Sequence, residues 1–251
     1  MTYVVSYVSV RIRGYADGTP CWARLRTADP EAAAAFYAGV FGWRLDGEVF
    51  RRGDAVVAGL EAGPGAGWLT YFASDDIAAL AGRVVDCGGT VVRPVSVGTR
   101  GSAALFRDPA GAEFGGWQRG TLAGAQIGVE PDTVCWSELV TGDEAGAECF
   151  YGKVFGWSAQ TGVLAPERGY REWQGNGRVV AGLVPASGAE PARWRTTVEV
   201  LEVTAAVQRC LDLGGRVLQG PVDLLVGRYT RLVDPLGATF SVIELIPELR
   251  G

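Results

Sequence analysis

The chain has no histidine among its 251 residues. That absence removes imidazole as a metal ligand, as a general base and as a member of a Ser-His-Asp triad. Cysteine is sparse as well: five, an odd number, with no CxxC pair. Buried free thiols are therefore expected rather than a disulfide framework. No apolar run reaches membrane-spanning length. The opening MTYVVSYVSVRIRGY alternates like a strand and lacks the continuous apolar core and small-residue cleavage site of a signal peptide. The expected location is the cytoplasm. A net charge of −5 provides no electrostatic footprint for nucleic acid. The Gly-Gly pairs and Arg107-Asp108-Pro109 fit neither GxxxxGK[ST] nor GxGxxG after a strand, so they read as turns, not phosphate loops.

What is present is a repeat. Cys21-Trp22-Ala-Arg24-Leu-Arg26-Thr-Ala-Asp29, Phe36-Tyr37 and Val40-Phe41-Gly42-Trp43 return as Cys135-Trp136-Ser-Glu138-Leu-Val140-Thr-Gly-Asp143, Phe150-Tyr151 and Val154-Phe155-Gly156-Trp157, each pair 114 positions apart. Downstream, Ala58-Gly59-Leu60 answers Ala181-Gly182-Leu183, and Trp68 answers Trp194. Gly88-Gly89 answers Gly214-Gly215, and Asp108-Pro109-x-Gly111 answers Asp234-Pro235-x-Gly237. The offset grows to 123 and then 126, so the second copy carries insertions of 9 and 3 residues, both where strands turn. A period of this length means a duplicated domain. The boundaries read 19–119 for the first domain, 120–131 for a linker and 132–247 for the second, with residues 1–18 as a leader strand or arm.

Local signals order each copy. Residues 20–28 alternate as a strand, with Cys21, Ala23, Leu25 and Thr27 on a helix-facing side and Trp22, Arg24 and Arg26 on the other. Asp29-Pro30-Glu31 starts a helix, and Gly42 ends it. Strands follow around 43–50, 55–62 and 68–73. A helix over 76–87 is stopped by Gly88-Gly89, and strands around 90–94, 102–107 and 112–118 complete the copy. Each copy reads as βαβββ taken twice.

This order, with the D-x₆-F-Y-x₃-F-G-W run, the helix stopped by Gly-Gly and Asp-Pro-x-Gly before the last strand, resembles the vicinal oxygen chelate superfamily, also called the glyoxalase/bleomycin-resistance/dioxygenase family. The resemblance implies an α+β fold in which paired βαβββ modules curl around a pocket. The tandem chain resembles a glyoxalase dimer fused end to end, so a monomer with an internal pseudo-dimer, or a homodimer, is expected. It also implies ligand positions for a metal. These fall on Trp22 and Trp136, on Ala58 or Gly59 and Ala181 or Gly182, near Leu69 and Arg195, and on Gly115 and Ser241. None supplies an imidazole or carboxylate, the donors such metals want. No metal and no other cofactor is expected.

Several residues stand out as candidates. Trp22 and Trp136 offer flat faces to a planar ligand, or simply plug vacated metal sites as core. Arg24 and Glu138 occupy equivalent positions with opposite charge. In a chain without histidine, Glu138 is the candidate proton shuttle, with a strand-end salt bridge as the plain alternative. Arg26 stands where the resemblance implies a substrate-binding arginine in glyoxalases. Tyr71, Glu113 and Trp117 in the first copy, and Arg195, Thr197 and Ser241 in the second, complete the expected substrate-binding lining. Trp43, Trp68, Trp157 and Trp194 recur and read as structural. Trp173 falls in the longer insertion, as a pocket cap or as part of a disordered loop. The function expected is a metal-independent cyclase, isomerase or lyase acting on a planar or polycyclic small molecule in natural-product biosynthesis. A binding protein that sequesters such a molecule is the alternative, and a metal-dependent lyase or dioxygenase stands third. Neither nucleic acid nor membrane is an expected partner.

Overall fold

The helix starts follow the capping chemistry. Asp29 accepts from the Ala32 amide at 2.9 Å and opens α1 (Pro30–Phe41); Gly42, at φ 69°, closes it. Asp143 accepts from the Gly146 amide at 2.8 Å and opens α3 (Glu144–Phe155), closed by Gly156 at φ 73°. The left-handed conformation at both ends favours glycine. Asp76 caps α2 (Ile77–Asp86). The matching α4 (Val203–Asp212) has no capping side chain at its first position, and Glu244 reaches across to accept from the Val203 amide at 3.0 Å.

The computed structural model describes residues 11–162 and 169–250. The first domain runs β1 (Pro20–Thr27), α1, β2 (Arg44–Asp46), β3 (Val49–Arg52), β4 (Ala55–Ala62), β5 (Gly67–Ala73), α2, β6 (Thr90–Val97), β7 (Gly101–Arg107) and β8 (Glu113–Arg119). The second runs β9 (Val134–Thr141), α3, β10 (Ser158–Thr161), β11 (Arg171–Gly175), β12 (Arg178–Pro185), β13 (Arg193–Glu199), α4, β14 (Arg216–Leu224), β15 (Gly227–Val233) and β16 (Thr239–Leu245). Each domain is one eight-stranded mixed sheet, ordered β2-β3-β4-β1-β5-β8-β7-β6 and β10-β11-β12-β9-β13-β16-β15-β14. The stretch expected as one strand over 43–50 is two, folded back on each other in antiparallel register.

The packing crosses the repeat. One core joins Phe36, Tyr37 and Trp43 of the first domain to Val203, Cys210 and Phe240 of the second. The other joins Phe72, Leu80 and Phe114 to Phe150, Tyr151 and Trp194. Two matched relays tie the halves. The Tyr37 hydroxyl donates to Asp234 at 3.1 Å and accepts from the Trp68 indole at 2.9 Å. The Tyr151 hydroxyl donates to Asp108 at 3.0 Å and accepts from Trp194 at 2.9 Å. Four of the repeat's signposts thus meet in one bond type, Tyr of Phe-Tyr in one half to Asp of Asp-Pro-x-Gly in the other. A hydrogen bond of this kind contributes about 0.5–1.5 kcal/mol net, and more where the acceptor is ionised.

Two sequence expectations change here, and two others gain detail. Trp173 is neither a pocket cap nor part of a disordered loop. It is a fully buried core residue of β11, against Tyr151 and Trp157, and it stands where Phe50 stands in the first domain. The pairings Trp173↔Ala181 and Phe50↔Ala58 share the repeat's frame. The extra residues therefore precede β11, and 163–168 lie outside the described residues. Cys21 does not face the helix: a register shift between Pro20 and Trp22 turns it toward the Trp22 side, where its thiol donates to the Tyr71 carbonyl at 3.5 Å. The stretch expected as the linker packs against the first domain. Leu122, Ala125 and Ile127 are buried, and the amides of Ala125 and Gln126 donate to the carbonyls of Cys21 and Val56. Of the leader, residues 1–10 lie outside the described residues, and 11–16 form no strand; the Ile12 amide and the Tyr15 hydroxyl donate to the carbonyls of Gln126 and Ala125.

Candidate functional sites in two cavities

Each sheet has a helix-facing side and a hollow side. On β1, Ala23 and Leu25 enter the core, while Trp22, Arg24 and Arg26 line a cavity of about 900 Å³. On β9, Leu139 enters the core, while Trp136 and Glu138 line a cavity of about 660 Å³. Equivalent strands thus carry equivalent sites with different contents. Arg24 and Glu138 match in the repeat but sit in separate cavities.

The first cavity is built on arginine. Arg24, Arg26 and Arg93 converge on Glu61 of β4, at 3.8, 3.8 and 2.5 Å. Burial works to raise the Glu61 pKa, but the Arg93 hydrogen bond and the charges of Arg24, Arg93 and Arg26 outweigh it and hold it below the usual carboxylate range. The indoles of Trp22 and Trp117 stack at 6.0 Å and 23°. Tyr71 lies against them, fully buried. Glu113 is not part of the lining; it pairs with Arg26 and Arg107 at 3.4 and 2.7 Å.

The second cavity is built on one carboxyl. Glu138 has 12% of its side-chain surface exposed, and Arg195, its cross-strand neighbour on β13, approaches to 3.4 Å. The Tyr170 hydroxyl accepts from the Trp136 indole at 2.9 Å and donates to Glu138. Burial pushes the Glu138 carboxyl above its ordinary pKa, against the pull of Arg195, of Tyr170 and of Arg231. Arg195 also donates to the Tyr229 hydroxyl at 3.2 Å. Thr197 lines the same wall, and its buried hydroxyl has no hydrogen-bond partner among the described residues. Ser241 lies beneath the lining, fully buried, with its hydroxyl 2.6 Å from that of Tyr229. Val184, Val222, Leu224, Val226, Ile243 and Leu245 make the remaining wall largely apolar.

The metal positions implied by the family do not fit a metal. In the first domain they are filled by rings packed on glycine. A Cβ on Gly59 would lie 2.8 Å from the Trp22 ring, and one on Gly115 would lie 2.1 Å from the Tyr71 ring. In the second, a Cβ on Gly182 would lie 2.3 Å from the Tyr170 hydroxyl. Among the described residues no three His, Cys, Asp or Glu side chains gather as a donor set, and such sites need three or four.

Glu61, Arg93, Tyr170, Tyr229 and Arg231 were missed from the sequence. Glu61 had a signal: it stands two residues after Gly59 on a strand, hence on the same face. Tyr229 and Arg231 alternate inward on β15, but their repeat counterparts are Ala103 and Leu105, so no shared signpost marks them. Tyr170 follows the insertion and had no signal.

The comparisons agree with this architecture. A family model described as a glyoxalase-like domain matches residues 22–115 and again 138–243. The Mycobacterium tuberculosis protein CFP32 is 34% identical, over 93% of this chain and 97% of its own. The anthracycline biosynthesis protein DauV of Streptomyces sp. (strain C5) is 35% identical, over 92% of this chain and 94% of its own. Among solved structures, the Mn(II)-bound glyoxalase of Novosphingobium aromaticivorans aligns with a TM-score of 0.62 at 18% identity, over 92% of this chain and 84% of its own, a likeness of fold. No helix among the described residues is long and apolar enough to cross a membrane, which says nothing of a β-barrel.

Proposed function

Since the chain belongs to the glyoxalase-like domain family, we propose that it is a metal-independent enzyme of natural-product biosynthesis that moves a proton on a planar aromatic substrate held in the second cavity. The single observation that carries this is Glu138, a mostly buried carboxyl with a raised pKa at the wall of a largely apolar cavity. A carboxyl tuned upward exchanges protons nearer to neutral pH than an ordinary one, and proton transfer by a positioned group is worth about 10²–10⁴-fold in rate. A volume of about 660 Å³ suits a drug-sized ligand. The relationship to an anthracycline biosynthesis protein supports a polycyclic aromatic substrate class.

The roles follow from position. Glu138 takes a proton from a carbon beside a carbonyl and returns it elsewhere on the same molecule. That sequence serves an isomerase or a cyclase; in a lyase the proton goes instead to the fragment that leaves as the bond breaks. Tyr170, tied to Trp136, orients the carboxyl. Arg195 and the unpartnered Thr197 hydroxyl face the enolate oxygen that forms, where donors count most in a site poor in water. Trp136 gives the ring system a face to stack on.

The test compares wild type with Glu138→Gln on hydroxylated polycyclic aromatic ketones. Binding is read by tryptophan quenching and turnover by product analysis. The variant should bind within about threefold of wild type and lose about 10²–10⁴-fold in kcat. Near wild-type turnover in Glu138→Gln would refute the assignment. The apolar wall also suits simple sequestration; binding with no product from either protein would favour that reading.

A further inference from the structure

We propose that the first domain's cavity is a second ligand site, selective for a planar aromatic carboxylate. This goes beyond the reading above, which concerns the other cavity. The argument rests on charge and shape. Four arginines line the cavity, Arg24, Arg26, Arg93 and Arg100, against two glutamates, Glu48 and Glu61. Two positive charges are in excess. In the second cavity Arg195 and Arg231 stand against Glu138 and Glu190, and the lining is balanced.

Protein carboxylates absorb this excess only in part. Three of the guanidiniums share the one Glu61 carboxylate, and each guanidinium carries five N–H donors in a rigid fork. One carboxylate accepts few of those fifteen donors. Arg26 finds a second acceptor in Glu113. The buried Arg24 Nε has no partner among the described residues, the other guanidiniums are partly open to solvent, and an incoming carboxylate would complete the cluster through bidentate contacts. Beside it, the stacked Trp22 and Trp117 indoles, each 6% exposed, give the cavity a narrow apolar floor. A ring laid on that floor places its own carboxylate toward the arginines. The metal positions filled by Trp22 on Gly59 and Tyr71 on Gly115 build this floor, so what removes the metal from this half also shapes the aromatic subsite.

The experiment titrates the full chain with 2-naphthoate and with 2-naphthamide, which share a shape and differ in charge, by calorimetry. Naphthoate should bind at least about tenfold more tightly than naphthamide, and the preference should fade at about 1 M salt, where the Debye length falls to about 3 Å. The double variant Arg26→Gln/Arg93→Gln should lose the preference while circular dichroism stays unchanged. Should that variant unfold, Arg100→Glu, an exposed change on the same lining, should weaken naphthoate and spare naphthamide. Glu138→Gln should leave naphthoate binding as it is, so failure of the catalytic reading and failure of this one are separable. Equal affinity for the two probes would overturn the proposal. So would a naphthoate preference that survives the arginine changes but disappears with Trp136→Ala.

Discussion

The two halves share a frame and differ in what it holds. At the position where the first domain carries Arg24, the second carries Glu138. Where the second carries Arg195, the first carries Leu69, and its carboxylate sits on β4 as Glu61. Each cavity keeps a carboxylate facing guanidinium, but on different strands and in different numbers. In the first, several arginines keep the acid ionised. In the second, burial and an apolar wall push the acid toward its protonated form. One scaffold thereby supports opposite electrostatics, because the backbone sets where side chains point and only the side chains set the field.

Four measurements sharpen or break that comparison. The largest effect tests the shared frame. Trp173→Ala and Phe50→Ala remove matched core rings, and each should cost about 3–5 kcal/mol in denaturant unfolding. A cost for Trp173→Ala under about 1 kcal/mol would mean that the halves do not pack alike at this position. Next comes the aromatic floor. Gly115→Ala forces a methyl into the Tyr71 ring, and overpacking of this kind costs about 1–3 kcal/mol. The second half already tolerates a side chain there, Ser241, so Ser241→Ala should cost only about 1 kcal/mol through the hydrogen bond lost to Tyr229.

Of similar size is the pair of relays. Tyr37→Phe and Tyr151→Phe each delete one donor to a buried aspartate and one acceptor for a buried indole and should each destabilise by about 1–3 kcal/mol. Melting curves in which one variant matches wild type and the other does not would break the two-fold symmetry of the interface.

The last test is pH, with opposite signs in the two halves. Glu138, facing Arg195, Tyr170 and Arg231, has its pKa raised on folding. Its contribution is full below the unfolded value of about 4.3 and is lost as pH rises through the folded value. Glu61, facing Arg93, Arg24 and Arg26, is depressed. Its contribution is present above the unfolded value and is lost as pH falls through the folded one. In urea midpoints taken against pH, Glu138→Gln should remove a loss of stability seen on raising pH, and Glu61→Gln a loss seen on lowering it. Two variants with the same slope would mean that the fields do not differ.

Much of this molecule was legible in its sequence, for definite reasons. Strand alternation put Trp22, Arg24 and Arg26, and likewise Trp136 and Glu138, on hollow faces, because a two-residue period leaves each side chain only two directions. The capping residues Asp29 and Asp143 bond to neighbours three residues away, so their signal is local. The repeat identified Tyr37 with Tyr151 and Asp108 with Asp234. It could not say that each tyrosine bonds the aspartate of the other half, since that partner is set by how two sheets dock.

The amino-acid sequence by itself determined the duplication, the βαβββ order, the lack of metal donors at the implied ligand positions and the inward direction of Glu138. Each of these depends on residue identity or on spacing along the chain. Only the tertiary structure decided that Trp173 is core, that three arginines share Glu61 and that Tyr170 reaches Glu138. These are contacts between strands whose separation in the chain bears no relation to their separation in space. Register and docking set them through close packing and the need to pair buried charge.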